Sequence, residues 1–247
     1  MSATTDLSAP LPPMPETGPM FEYRRIVRTG DVDAGERLRL DGVARYLQDI
    51  AFDHIGALPG APNPVWIVRR TVIDVIRPIA WHSEVHLQRW CSAMSTRWAT
   101  MRVRLESAAD GNGDGGLIET EAFWIHINRE TGAPARISDE LEAELLKRTT
   151  EHRLRWRPLL KETAPDAGDP GCDDDEFRTR LTDIDPLRHV NNTVYLHPVE
   201  ERLAEVPDLR ERPHRVIVEY LRPIAPDAPV RIRCRSDGDG VALWFVV

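Results

Sequence analysis

The chain has 247 residues, 41% of them hydrophobic, which suits one large domain or two small ones with a proper core. A net charge of −8 and a pI near 5.5 make nucleic acid a poor partner. Three cysteines (Cys91, Cys172, Cys234), odd in number and spaced for neither a disulfide framework nor a zinc site, suit a reducing, cytoplasmic compartment. No apolar run reaches membrane-spanning length, so no membrane partner is expected. Residues 1–20 lack the basic start and apolar stretch of a secretory signal and read as a disordered arm.

Residues 21–27 read as a first strand. A helix follows, with Val43, Tyr46, Leu47, Ile50, Ala51 and Ile55 on one face and Asp41 as a candidate N-cap. Turn residues at 56–64 end it. Four strands are expected over 65–76, 85–91, 100–106 and 117–127. In the third, Met101, Val103 and Leu105 alternate with Arg102 and Arg104, which predicts a sheet with one wet face. The run from Asp110 to Gly115, with Glu121, matches a calcium-loop pattern. Its strand-like flanks mark it as a hairpin instead, and no metal is expected. Residues 138–147 predict a short helix.

Residues 148–176 read as a linker, with Pro158, Pro165, Pro170 and the acidic run Asp173 to Glu176. Its Arg148, Arg153, Arg155 and Arg157 suit an acidic carrier or a phosphate, and a solvated linker accounts for them equally well. A strand is then expected over 177–181 and a helix over 192–205, where Pro198 should kink it or shift its start. Strands are expected over 215–221, 230–235 and 241–247, leaving this half about one strand short of the first.

Part of the chain occurs twice. Ile76-Arg77-Pro78-Ile79-Ala80 returns as Leu221-Arg222-Pro223-Ile224-Ala225, and Asp31-Val32-Asp33 returns as Asp183-Ile184-Asp185. Strand, helix and antiparallel strands give a sheet wrapped around one helix, and two such units give an α+β fold. Adjacent copies imitate a two-fold dimer, so either a monomer or a homodimer is compatible. The copies diverge where chemistry is possible. In the second, Asp185 supplies a carboxylate to attack a carbonyl or orient a water. The helix start offers N–H groups near Val190 and Asn191 for an oxyanion, and Asn191 and Asn192 can cap the helix or fix His189. The plainer reading is that Asp183, Asp185 and Asn192 are turn and cap residues.

Asp183, Asp185, His189, Val190, Asn191, Asn192 and Tyr195 fall in order on the pattern Asp-Leu-Asp-x-Asn-x-His-Val-Asn-Asn-x-x-Tyr. With the segments Tyr46-Leu47-Gln48-Asp49, Trp66-Ile67-Val68 and Phe123-Trp124-Ile125, followed by Thr131 and Ile137, the chain resembles the acyl-ACP thioesterases. That resemblance implies two tandem hotdog domains, 21–147 and 177–247. It implies hydrolysis of fatty acyl thioesters in fatty acid biosynthesis, the partner being acyl carrier protein or a coenzyme A thioester, without a cofactor. The first domain would hold the acyl chain. In the second, Asp185, His189 and Asn191 would be catalytic, with Val190, Asn192 and Tyr195 against the substrate. Leu187 replaces the Asn of that pattern, and downstream, where the family has Glu-Tyr-Arg-Arg-Glu-Cys, Pro223 and Ile224 stand in place of the second Glu and the Cys. Two other readings therefore stay open: a catalytically degenerate binding protein on the same fold, and a hotdog enzyme that adds or removes water from acyl thioesters.

Overall fold

The computed structural model describes residues 7–16, 18, 20–58, 65–109, 114–147, 149, 151–236 and 240–247. Positions 59–64 of the expected turn, the calcium-like positions 110–113 and Arg148 lie outside the described residues. In chain order the elements are β1 (Phe21–Ile26), α1 (Leu40–Ala57), β2 (Val65–Arg77), β3 (Glu84–Met94), β4 (Trp98–Ser107), β5 (Leu117–Ile127) and α2 (Asp139–Leu146). Then come β6 (Asp173–Phe177), α3 (Leu196–Ala204), α4 (Pro207–Glu211), β7 (His214–Glu219), β8 (Val230–Ser236) and β9 (Val241–Val246). Short 3-10 helices occupy Thr29–Asp31, Leu181–Asp183 and Asn192–Tyr195. The chain divides into two compact units: 1–159 with His214–Glu219, and 160–213 with 220–247. No helix among the described residues is long and apolar enough to cross a membrane.

Unit 1 is an antiparallel sheet in the order β1-β3-β4-β5-β2-β7. Val85, Leu87 and Cys91 of β3, with Met101, Val103 and Leu105 of β4, are buried at period two. On α1 the expected stripe is buried at Val43, Tyr46, Leu47, Ile50 and Ala51, with Ile55 half-buried. Helix α2 sets Leu141 and Leu145 against Cys91, Met94 and Met101, and the Ser138 hydroxyl accepts the Leu141 N–H at its start.

Two sequence expectations need correction here. Asp41 is not an N-cap: α1 begins at Leu40 after Arg39. Asp41 lies in the first turn, buried, with its carboxylate held by Arg39 and Arg45. Arg102 does not face water either. It is 1% exposed, and its guanidinium donates to Thr120 O (2.8 Å), Glu119 Oε2 (3.0 Å) and Pro12 O (2.6 Å). The arm covers that face: Arg215 likewise donates to the Leu7 and Ala9 carbonyls at 2.7 Å each.

The pairing of β2 with β7 is symmetric in the numbering of the repeat. Val72 faces Ile217, which is its own counterpart 145 residues on. The flanking ion pairs are counterparts too: Arg70 with Glu219, and Arg215 with Asp74. Such self-complementary contact is what an isologous interface provides.

Unit 2 holds the sheet β6-β8-β9. Phe245 of β9 packs on Phe177 of β6 and on Tyr195, with ring centroids 5.9 and 4.8 Å apart. Pro198 is the third residue of α3, so the proline moved the helix start and the preceding turn became 3-10. The acidic run read as linker forms edge strand β6, where Asp174 pairs with Arg231 and Arg233 of β8. Within the same expected linker, Trp156 packs edge-on against Phe123 at 5.0 Å.

Candidate active site

Residues 31–39 and 183–191 build the same loop nearly bond for bond. The Asp31 carboxylate accepts the Arg28 N–H (3.2 Å) and Asp183 accepts the Arg180 N–H (2.8 Å). Asp33 Oδ1 accepts the Gly35 and Arg37 N–H groups at 2.7 and 3.0 Å. Asp185 Oδ1 accepts those of Leu187 and His189 at 2.9 and 3.4 Å. Both copies place a non-glycine residue at positive φ, Glu36 at 61° and Arg188 at 64°. Leu38 N–H donates to Ile79 O (2.8 Å) and Val190 N–H to Ile224 O (2.9 Å), so the two repeat markers meet in each copy. The turn reading of Asp183 and Asp185 therefore describes an architecture common to both copies.

The copies differ in what meets the second aspartate's other oxygen. In the first, Arg37 Nε lies 3.3 Å from Asp33 Oδ2. In the second, His189 Nδ1 lies 3.2 Å from Asp185 Oδ2. His189 Nδ1 also faces the Val190 carbonyl at 3.4 Å. Both neighbours accept hydrogen bonds, so in the neutral imidazole Nδ1 carries the proton and Nε2 keeps its lone pair. The two side chains are 12% and 27% exposed, within reach of a reactant. An arginine cannot do this at any ordinary pH, because it never releases a proton.

The structure corrects the expected oxyanion donors. The Val190 N–H is spent on Ile224 O and the Asn191 N–H on Asp183 O (2.8 Å). The Asn191 side chain is the cap, its Oδ1 accepting the Thr193 N–H at 2.9 Å. Among the described residues, the main-chain N–H and the side-chain amide of Asn192 have no hydrogen-bond partner. Val190 and Tyr195 are buried, at 2% and 6% exposure. Tyr195 packs edge-on against Tyr220 at 5.2 Å, and burial lifts its phenol to about 12 against an opposing backbone hydrogen bond from Ile224. Leu187 is 59% exposed, and Ile224 is buried, using its carbonyl to hold the loop.

Unit 1 contains a small apolar cavity between α1, the sheet and α2. Ile55, Leu58, Trp66, Met101 and Trp124 contribute to its wall. Arg89 is its one charged lining residue among those described. Sequence reading passed over Arg89, although the alternation Val85, Leu87, Arg89, Cys91 sets a charge at an inward position of β3.

Comparison with known proteins follows the same division. Residues 18–145 match the family described as the acyl-ACP thioesterase N-terminal domain, and residues 171–243 match its C-terminal domain. An uncharacterized protein of Mycobacterium tuberculosis is 42% identical over the whole chain and 95% of its own length. The chloroplastic oleoyl-acyl carrier protein thioesterase 2 of Arabidopsis thaliana is 24% identical over 77% of this chain and 56% of its own length. Among solved structures, the 12:0-ACP thioesterase of Umbellularia californica superposes with a TM-score of 0.63 at 21% identity, covering 94% of each chain. An acyl-ACP thioesterase of Bacteroides thetaiotaomicron gives 0.63 at 16% identity, covering 92% of each. These likenesses give the fold: hotdog units with antiparallel sheets, α+β.

Proposed function

Since the chain belongs to the acyl-ACP thioesterase family, we propose that it hydrolyses fatty acyl thioesters borne on acyl carrier protein, with the cavity of unit 1 taking the acyl chain and the loop of unit 2 the chemistry. The observation that carries this reading is the exchange of Arg37 for His189 in a loop otherwise built twice. His189 Nε2 takes a proton from water as the water oxygen bonds to the thioester carbonyl carbon. Asp185 holds the imidazole in the required tautomer and stabilises the imidazolium, rather than attacking, because both its oxygens are already engaged. The Asn192 N–H is the available donor for the carbonyl oxygen as it gains charge. The C–S bond then breaks, its electron pair leaving on sulfur. A thiol of pKa about 8.5 leaves without a strong acid.

The basic stretch of unit 1 supports the carrier protein as the partner. Arg153, Arg155 and Arg157 are exposed, and their guanidinium groups form no ion pair among the described residues. Thiol release from acyl-ACP and acyl-CoA, across chain lengths, tests the proposal. Reversing the three arginines to glutamate is expected to raise KM for acyl-ACP by about tenfold while leaving KM for acyl-CoA nearly unchanged, as electrostatic docking requires. A second reading, binding without turnover, draws on Leu187, Pro223 and Ile224. It predicts an acyl thioester that binds at micromolar concentration and survives overnight incubation intact.

A further inference from the structure

Arg89 is 5% exposed on the inward face of β3, where its neighbours at period two are Leu87 and Cys91. The fold has no use for a charge there; an apolar side chain would extend the core. Other guanidinium groups withdrawn from water in this unit meet carboxylates, the buried Arg102 with Glu119 and the half-buried Arg70 with Glu219. Among the described residues Arg89 meets none. The one hydrogen-bond partner of its guanidinium among those residues is His54 Nδ1, at 2.5 Å. Because arginine can only donate, His54 accepts through Nδ1 and is neutral. Burial and the adjacent guanidinium drive His54 down to about 3, and burial brings Arg89 down to about 10, so the pair keeps one uncompensated positive charge at neutral pH.

A second observation points the same way. Trp66 and Trp124 line the same cavity, and among the described residues the indole N–H of each is buried without an acceptor, as are those of Trp81 and Trp98 outside it. Buried donors are ordinarily satisfied. Two indole donors without an acceptor among the described residues, and a guanidinium that meets no carboxylate, line a space that is otherwise hydrocarbon.

Resting on the reading of this cavity as the acyl site, we propose that it binds an apolar chain that carries a carboxylate, anchored by the Arg89 guanidinium with the Trp66 and Trp124 indoles as further donors. A forked guanidinium and a carboxylate make two parallel charge-assisted bonds, which suits a site where neither group meets water. A methyl-ended chain leaves both indoles without an acceptor and the guanidinium without a counter-charge. Two sources supply the carboxylate: the far end of a dicarboxylic acyl thioester, or the head of a free fatty acid.

Calorimetric titration of the full chain with dodecanoic acid, dodecanedioic acid and methyl dodecanoate tests this without any turnover, so a protein that hydrolyses nothing still gives an answer. At least one acid should bind about tenfold or more tightly than the ester. Arg89→Met should abolish that preference and raise affinity for the ester. Tighter binding of the diacid than of the monoacid identifies the far-end carboxylate, and equal binding identifies the head group. If the Met variant fails to fold, Arg89→Lys, which keeps the charge but loses the fork, should still cut the preference several-fold. Equal binding of ester and acids by the wild type, or a preference unaltered in both variants, overturns the proposal.

Discussion

Asp185→Asn is expected to fold normally and to lose about 10³- to 10⁴-fold in kcat on acyl-ACP. The amide oxygen still accepts the Leu187 and His189 N–H groups, so the turn survives. The amide nitrogen, however, takes the place of Oδ2 and presents a donor to His189 Nδ1. The imidazole must then move its proton to Nε2, which removes the base. Asp185→Ala loses the same activity and also strands two backbone N–H groups, so it should be less stable by about 1–3 kcal/mol. The matching change in the first copy, Asp33→Asn, alters the same atoms beside Arg37 instead of histidine. It should cost at most about 1 kcal/mol and leave thiol release at the wild-type rate. Steady-state kinetics and thermal melts on the three variants separate the architectural role of the aspartate, present in both loops, from a role that only the histidine copy has.

The largest effect on stability is expected at Glu119. Its two oxygens take Arg102 and Arg104 at 3.0 Å each, and Arg102 is sealed between the sheet and the N-terminal arm. Burial pushes the Arg102 guanidinium down, and Glu119 is the leading charge opposing that. Glu119→Ala leaves a buried cation without its counter-ion, a change that costs about 3–5 kcal/mol. For a chain of this size that is a fall of roughly 10 °C in Tm. Glu119→Ala with Arg102→Met should be more stable than Glu119→Ala alone, because the stranded charge is gone, although the Thr120 and Pro12 carbonyls then lose a donor. A double variant no more stable than the single one would assign the loss to packing instead.

Much of this architecture was legible because it rests on local periodicity. The stripe from Val43 to Ile55 could only be a helix face, and Pro198 could only trim a helix. The repeat pointed to two copies of one unit, and the comparisons supply the name of that fold. What escaped reading depends on residues far away in sequence. Arg102 alternates like a surface residue, and only a segment ninety residues upstream covers it. The run Asp173 to Glu176 looks too charged for a sheet, yet an edge strand tolerates charge when Arg231 and Arg233 lie across from it. At the site, the contrast between Arg37 and His189 was in plain view. Which N–H groups stay free was not, since the partner of Val190 is Ile224, on a distant stretch of chain.

The central claim is that the second loop is catalytic through the imidazole of His189. Thiol release from acyl-ACP by His189→Gln, measured beside wild type and Arg37→Gln with all three shown to be folded, tests it most directly. The account predicts a loss of at least about 100-fold in kcat for the histidine variant and wild-type turnover for the arginine variant. Full turnover by His189→Gln would contradict it.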